Sequence, residues 1–181
     1  LPMLPEQLSN GLCSLVPGKD RLTFSVFLTL DEQANILRAE FTESVICSQL
    51  RLNYGQALQA IQAPAGTPLP GAGMDAAAVA LVQQVHGLAQ HMQRRRMENG
   101  ALWLELGEVE FQIGKDGRIA AIIPVVHDAS HQMIEECMLA ANEAVSRELA
   151  RCGSPQLYRI HEEPDPEKLA ELEQMLGRAG I

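Results

Sequence analysis

LTFSVFLTL places Leu22, Phe24, Val26, Leu28 and Leu30 on alternate positions, and after DEQAN the segment beginning ILRAEF repeats the pattern with Leu37, Ala39, Phe41 and Val45. A period of two puts these side chains on one face of an extended strand, and so apolar a face needs cover. Two such runs joined by a short polar stretch predict an antiparallel hairpin. A second hairpin is predicted from LWLELGEVEFQI, a turn at Lys115, Asp116 and Gly117, and the return RIAAIIPVV. Four helices interleave with these strands. A short one over 53–62 is stopped by APAGTPLPGAG, and the next is capped by Asp75 with Val82, Val85, Ala89 and Met92 on one face. The third is capped by Asp128 and ended by Gly153 and Pro155. The last has Asp165 as cap, Pro166 at its first position, and Leu169, Leu172 and Leu176 facing inward. The fold class expected is α+β, with an antiparallel or mixed sheet and packed helices, read as a single domain over residues 1–181. Whether the hairpins share one sheet is open at this level.

With 181 residues, 46% of them hydrophobic, the chain has enough apolar surface for a sizeable core. Its net charge of -9 excludes a surface coated for nucleic acid, although a local basic groove stays compatible with that total. Cys13, Cys47, Cys137 and Cys152 are scattered without a CxxC pair, which suits free thiols in a reducing compartment. No run reaches the roughly 18 apolar residues of a membrane span, so the expected location is the cytoplasm. The sequence opens at Leu1 with LPMLP and without an initiator Met, as in a processed protein or a piece of a longer one.

HQMIEECMLAAN, residues 131–142, contains two adjacent glutamates. At 100° per residue, Ile134, Cys137, Met138, Ala141, Val145 and Leu149 form an apolar stripe, which predicts that Glu136 points to solvent. Glu135 falls at the edge of that stripe, on the flank of His131 and Asn142. Two readings stand for Glu135: a boundary carboxylate bonded to its neighbours, or a group facing a cleft. A metal pair of His131 and Glu135 lacks the HExxH order of zinc proteases.

Five blocks, LPMLPEQLSNGLCSL, DRLTFSVFLTLDEQANILRAEF, SQLRLNYGQ, DASHQMIEECMLAAN and LYRIHEEP, in this order and spacing resemble the RNB catalytic domain of the ribonuclease II and ribonuclease R family. IEECMLAAN and RIHE look more like the ribonuclease R branch. The resemblance implies part of a magnesium-dependent exoribonuclease that degrades single-stranded RNA processively from the 3' end to nucleoside monophosphates. It implies that Glu135 handles the ribose at the cleavage site and that Tyr54 packs by the 3'-terminal nucleotide, and Trp103 stands where the family carries a phenylalanine that clamps the base stack. Base stacking of that kind is worth ~1–3 kcal/mol.

Each of these residues also has a purely structural reading. Tyr54 at a helix start suits a half-buried aromatic, and Trp103 suits either the core or, sharing a strand face with Glu105, partial exposure. Arg159 and His161 alternate with Tyr158 and Ile160 on a predicted short strand, which suits an RNA face or ion pairs with Glu162 and Glu163. Arg94, Arg95 and Arg96 read as a solvated helix end favoured by the helix dipole.

In the family the magnesium-binding aspartates precede the LPMLP block and a TSPIRRY-like arginine lies downstream. The resemblance therefore places both outside these 181 residues, an incomplete catalytic domain, together with flanking OB-type cold-shock and S1 domains. Two expectations follow. These residues by themselves are inactive, and their uncovered apolar surface drives self-association. The alternative is a non-catalytic RNA-binding or protein-interaction module on the same fold.

Overall fold

A computed structural model describes residues 3–102, 109–114, 117–124 and 126–180. The chain divides into two compact units, Leu1–Ser146 and Arg147–Ile181.

In the first unit, β1 (Asp20–Leu30) and β2 (Ile36–Cys47) form the expected antiparallel hairpin, in register from Asp20 opposite Cys47 to Thr29 opposite Arg38. Its turn is organised by Asp31, whose carboxylate accepts hydrogen bonds from the Gln33 N–H at 3.0 Å and the Asn35 N–H at 2.7 Å. Those bonds let Ala34 sit at φ 60°, a left-handed conformation that ordinarily costs a non-glycine residue about 1–2 kcal/mol. Burial along β1 departs from the expected single face. Arg21, Thr23 and Ser25 are the more covered residues in its first half, and Val26, Leu28 and Leu30 in its second. The polar half is sheltered on its own side: Arg21 Nε donates to the Ser14 carbonyl at 2.8 Å, and the Ser44 hydroxyl lies 2.8 Å from that of Thr23 and 2.6 Å from that of Ser25. Leu22, Phe24 and Val45 are left 88%, 70% and 62% exposed.

The helical part has a local cause at each boundary. Asn53 caps α1 (Tyr54–Gln62) through a reciprocal pair, its side chain accepting from the Gln56 N–H at 2.8 Å while the Gln56 side chain accepts from the Asn53 N–H at 2.9 Å. Asp75 accepts from the Ala78 N–H at 2.8 Å and starts α2 (Ala76–Glu98). Between the helices a single 3₁₀ turn, Pro70–Ala72, and a bridge between Leu69 and Met74 fold the connecting segment back on itself. Ala60, Ala72, Met74 and Val79 make a buried cluster there, flanked by Leu52, Ala63, Leu69, Ala78 and Val82. Gln83 on α2 donates to the carbonyls of Ala60 at 3.0 Å and Ala63 at 2.8 Å, satisfying acceptors that the end of α1 would otherwise leave open.

Strands β3 (Val109–Ile113) and β4 (Ile119–Pro124) form the second antiparallel hairpin, and Gly117 takes a positive φ of 74° at its turn. Among the described residues the hairpins make two separate two-stranded sheets rather than one. Lys115 and Asp116 of the predicted turn, and the stretch from Trp103 to Glu108, lie outside the described residues.

Helix α3 (Ala129–Arg151) begins in the first unit and ends in the second. In the second unit the helix stops at Gly153, which takes φ 66°. Residues 155–165 then run without regular structure to α4 (Pro166–Ala179), which is capped by Asp165. Tyr158, Arg159, Ile160 and His161 do not form the strand expected of them, and among the described residues no strand pairs with them. Leu169, Leu172 and Leu176, expected to face inward, stay 45%, 49% and 39% exposed.

Candidate functional site

Tyr54 is the first residue of α1, so the capping pair that fixes Asn53 also fixes the tyrosine backbone. Its ring stacks on His131 of α3, with centroids 3.8 Å apart and planes 18° from parallel. His131 is held in turn by Asp128: its Nδ1 lies 3.0 Å from Asp128 Oδ1. The same oxygen accepts from the Ser130 hydroxyl at 2.5 Å and the Ser130 N–H at 2.9 Å, which is how Asp128 caps α3. Burial raises the Asp128 carboxyl, but hydrogen bonds from Ser130 and His131 outweigh it and bring it down to about 2. The carboxylate is therefore ionised at neutral pH and can only accept, so the His131 Nδ1 carries the proton of that hydrogen bond.

Beside this stack lies a cavity of about 780 Å³ between α1, α2 and α3. Leu81, Val82, Val85, Met133 and Ile134 give it apolar walls, and Arg51, Asn53, Tyr54 and Gln56 supply its polar side. Tyr54, 47% exposed, lines it. An apolar cavity with a few convergent polar groups is the ordinary form of a binding site.

The two glutamates sit differently from the helical-wheel expectation, and the correction concerns Glu136 most. Glu136 is buried, only 4% exposed, and Arg96 at the end of α2 donates to its Oε1 from Nη2 at 2.6 Å and Nε at 3.1 Å. Glu135 is half-buried, and its Oε1 lies 3.7 Å from the same Arg96 Nη2. A hydrogen bond from Arg96 to Glu136 and the charge of both carboxylates hold that guanidinium above its ordinary value. The expectation failed because it followed the most hydrophobic residues. Ile134 and Met138 are 39% and 59% exposed, whereas α3 buries Ser130, Met133, Glu136 and Ala144.

The run from Arg94 to Arg96 is likewise more than a solvated helix end. Arg95 Nη1 donates to the Ala34 carbonyl and, at 3.1 Å, to Asn35 Oδ1, so α2 grips the β1–β2 turn with one arginine and α3 with the next. A signal for Arg96 was present in the sequence: it follows the buried Ala89 and Met92 by seven and four residues, on their face of the helix. In the sequence His131 stands as a flank neighbour of Glu135 and a metal candidate, and its place under Tyr54 needed the packing of two helices to appear.

Tyr54 therefore meets α3 at His131, one helical turn before Glu135 on the same helix. Arg159 and His161 are exposed in the second unit. Trp103 lies outside the described residues. Among the described residues no three His, Cys, Asp or Glu side chains converge as metal ligands. No helix among them is long and apolar enough to cross a membrane.

A family model described as the RNB domain matches residues 1–180. The chain belongs to the RNB family. It is 36% identical over 182 residues to ribonuclease R of Thermotoga maritima and 37% identical over 180 residues to that of Aquifex aeolicus, covering 100% and 99% of this chain. In each case the match spans 25% of the relative, so this RNB chain corresponds to about a quarter of the length of those proteins. Among solved structures it superposes on Mycoplasma genitalium ribonuclease R in complex with ribose methylated single-stranded RNA with a TM-score of 0.89, at 30% identity, covering 99% of this chain and 27% of that one. The same enzyme in complex with double-stranded RNA gives a TM-score of 0.87, with 98% and 30% covered. The α+β architecture expected from the sequence is thus that of the RNB domain in ribonuclease R.

Proposed function

We propose that this chain is the RNA-gripping part of a cytoplasmic, magnesium-dependent exoribonuclease that degrades single-stranded RNA processively from its 3' end to nucleoside monophosphates. The observation that carries this reading is the match to ribonuclease R over essentially the whole chain, including structures that hold RNA. In this reading Tyr54 meets the 3'-terminal nucleotide at the mouth of the apolar cavity, and Glu135 accepts a hydrogen bond from a ribose hydroxyl, a contact that DNA lacks. Trp103, Arg159 and His161 take further bases and phosphates along the RNA path, by stacking and by charge.

Hydrolysis itself belongs to magnesium-binding aspartates outside these residues, where the ions would polarise the phosphate and activate water. Glu135, whose Oε1 lies 3.7 Å from Arg96 Nη2, orients a sugar in this reading and does not replace that metal centre. The flanking domains of the whole protein, OB-type cold-shock and S1 modules in this reading, add the positive charge that this acidic segment lacks.

Incubating the full-length gene product with 5'-labelled RNA and magnesium tests the proposal. Progressive shortening of the labelled RNA, with DNA of the same sequence left intact, is the expected result. RNA binding without shortening would instead establish a non-catalytic module. The 181 residues alone are expected to leave the label at full length.

A further inference from the structure

A tyrosine near the first turn of a helix has its Cα fixed by the helix and its ring free to swing about χ1 and χ2. Tyr54 departs from that picture. Its backbone is pinned by the Asn53–Gln56 cap, and its ring lies flat against an imidazole whose own orientation is set by a carboxylate. That carboxylate cannot follow a moving ring, because the hydroxyl and N–H of Ser130 hold the same oxygen and Ser130 is fully buried. His127 closes the cluster from another side, its ring 5.2 Å from that of His131 and tilted by 44°.

We propose that His131 is a positioning residue: held by Asp128, it acts as a platform that presets the ring of Tyr54 at the cavity mouth before RNA arrives. The inference rests on the reading of Tyr54 as a contact of the 3'-terminal nucleotide and adds the group that orients it. The imidazole touches no reacting atom. Its contribution is to spare the nucleotide the ordering of a mobile phenol, and presetting of this kind matters because a displacement of about 1 Å in a reactant can cost roughly a hundredfold in rate. One face of the Tyr54 ring is occupied by His131, so its edge, its hydroxyl and its remaining face are what it can offer to a sugar or base.

The test uses the full-length protein and compares degradation of 5'-labelled RNA with that of RNA carrying a single 2'-deoxy sugar at its 3' end. Tyr54→Ala is expected to slow the RNA reaction and narrow the preference for RNA, and His131→Ala to do the same by roughly tenfold. His131→Phe, which keeps a flat platform, is expected to recover to within about threefold of the parent. Combining Tyr54→Ala with His131→Ala should be no worse than Tyr54→Ala alone, since the platform then has nothing to hold. Additive losses, or a phenyl variant as impaired as the alanine one, would overturn the proposal.

If Tyr54→Ala is impaired while His131→Ala matches the parent, the platform fails and the reading of Tyr54 survives. If Tyr54→Ala changes nothing, both fall. Should His131→Ala not fold, His131→Phe set against His131→Asn carries the comparison, because asparagine keeps an N–H donor toward Asp128 without a ring. Activity in the phenyl variant and impairment in the asparagine variant supports the platform, and the reverse overturns it.

Discussion

Arg96 and Glu136 form a buried ion pair, with the guanidinium Nη2 2.6 Å from a carboxylate that is 4% exposed. It joins the end of α2 to the middle of α3, and the neighbouring Glu135 borrows the same nitrogen at 3.7 Å. Two adjacent acidic residues thus share one cation unequally. Glu136 depends on it for burial, and Glu135 uses it for orientation.

The stability consequence falls on Glu136 and Arg96. Removing one member of a buried pair strands the other charge, which typically costs about 3–5 kcal/mol. Arg96→Ala should come near the lower end, about 3 kcal/mol, because the arginine side chain is 30% exposed and water can reach the carboxylate left behind. Glu135→Ala should cost under about 1 kcal/mol, as for other partly solvated pairs. Urea denaturation of the two variants checks the ordering, and a Glu135 variant less stable than the Arg96 one would contradict it.

For recognition the order reverses. On the proposed ribose contact, Glu135→Gln in the full-length protein should leave the melting temperature unchanged within about 2 °C and weaken a preference for RNA over DNA on the order of tenfold, the loss of one charge-assisted hydrogen bond to a sugar hydroxyl. Rates on paired RNA and DNA substrates, measured beside thermal melts, separate the two effects.

Asp128 gives a pH dependence with a definite sign. Its carboxyl titrates at about 2 in the folded chain, below the ordinary value of about 3.9, so its stabilising contribution is complete above pH 4 and is lost as pH falls toward 2. The side chain is 23% exposed, so solvent screens part of that contribution. Asp128→Asn should keep the helix cap, since asparagine caps about as well, while flattening the acid limb of the stability curve between pH 4 and 2. Denaturation midpoints collected across that range test it, and an unchanged acid limb would count against the assignment.

Leu22 and Val45 face each other across the β1–β2 hairpin, 88% and 62% exposed, with Phe24 beside them. An apolar patch on a strand pair is a self-association surface, so the 181-residue chain should form dimers or larger species as its concentration rises. Light scattering on a sizing column follows this directly. Leu22→Lys should shift the distribution toward monomer, and a parent chain that stays monomeric at high concentration would refute the expectation.

Period and caps carried most of the fold. The hairpins, and Asp75, Asp128 and Asp165 at the starts of α2, α3 and α4, were legible because a strand's alternation and a helix's first N–H groups are local requirements. The faces were less legible. Hydrophobicity ranked Ile134 and Met138 above Ser130 and Ala144, yet α3 buries the latter two together with Met133 and Glu136, whose charge is met by Arg96. Burial of a charge is a property of the pair, and the partners lie 40 positions apart. The same limit kept His131 and Tyr54 separate until α1 and α3 were seen side by side.

The bridge between Leu69 and Met74 cuts the Pro- and Gly-rich connection into two parts with different tolerances. Met74 is 2% exposed and Ala72 is buried beside it, so an insertion between them would pull apart the cluster that joins α1 to α2. Residues 64–68 are exposed on the other side of the bridge, where extra chain would simply loop outward. An affinity tag or a fluorophore attachment site is therefore best spliced into the Ala65–Gly66 step, and a protease that nicks the chain there should leave both helices docked.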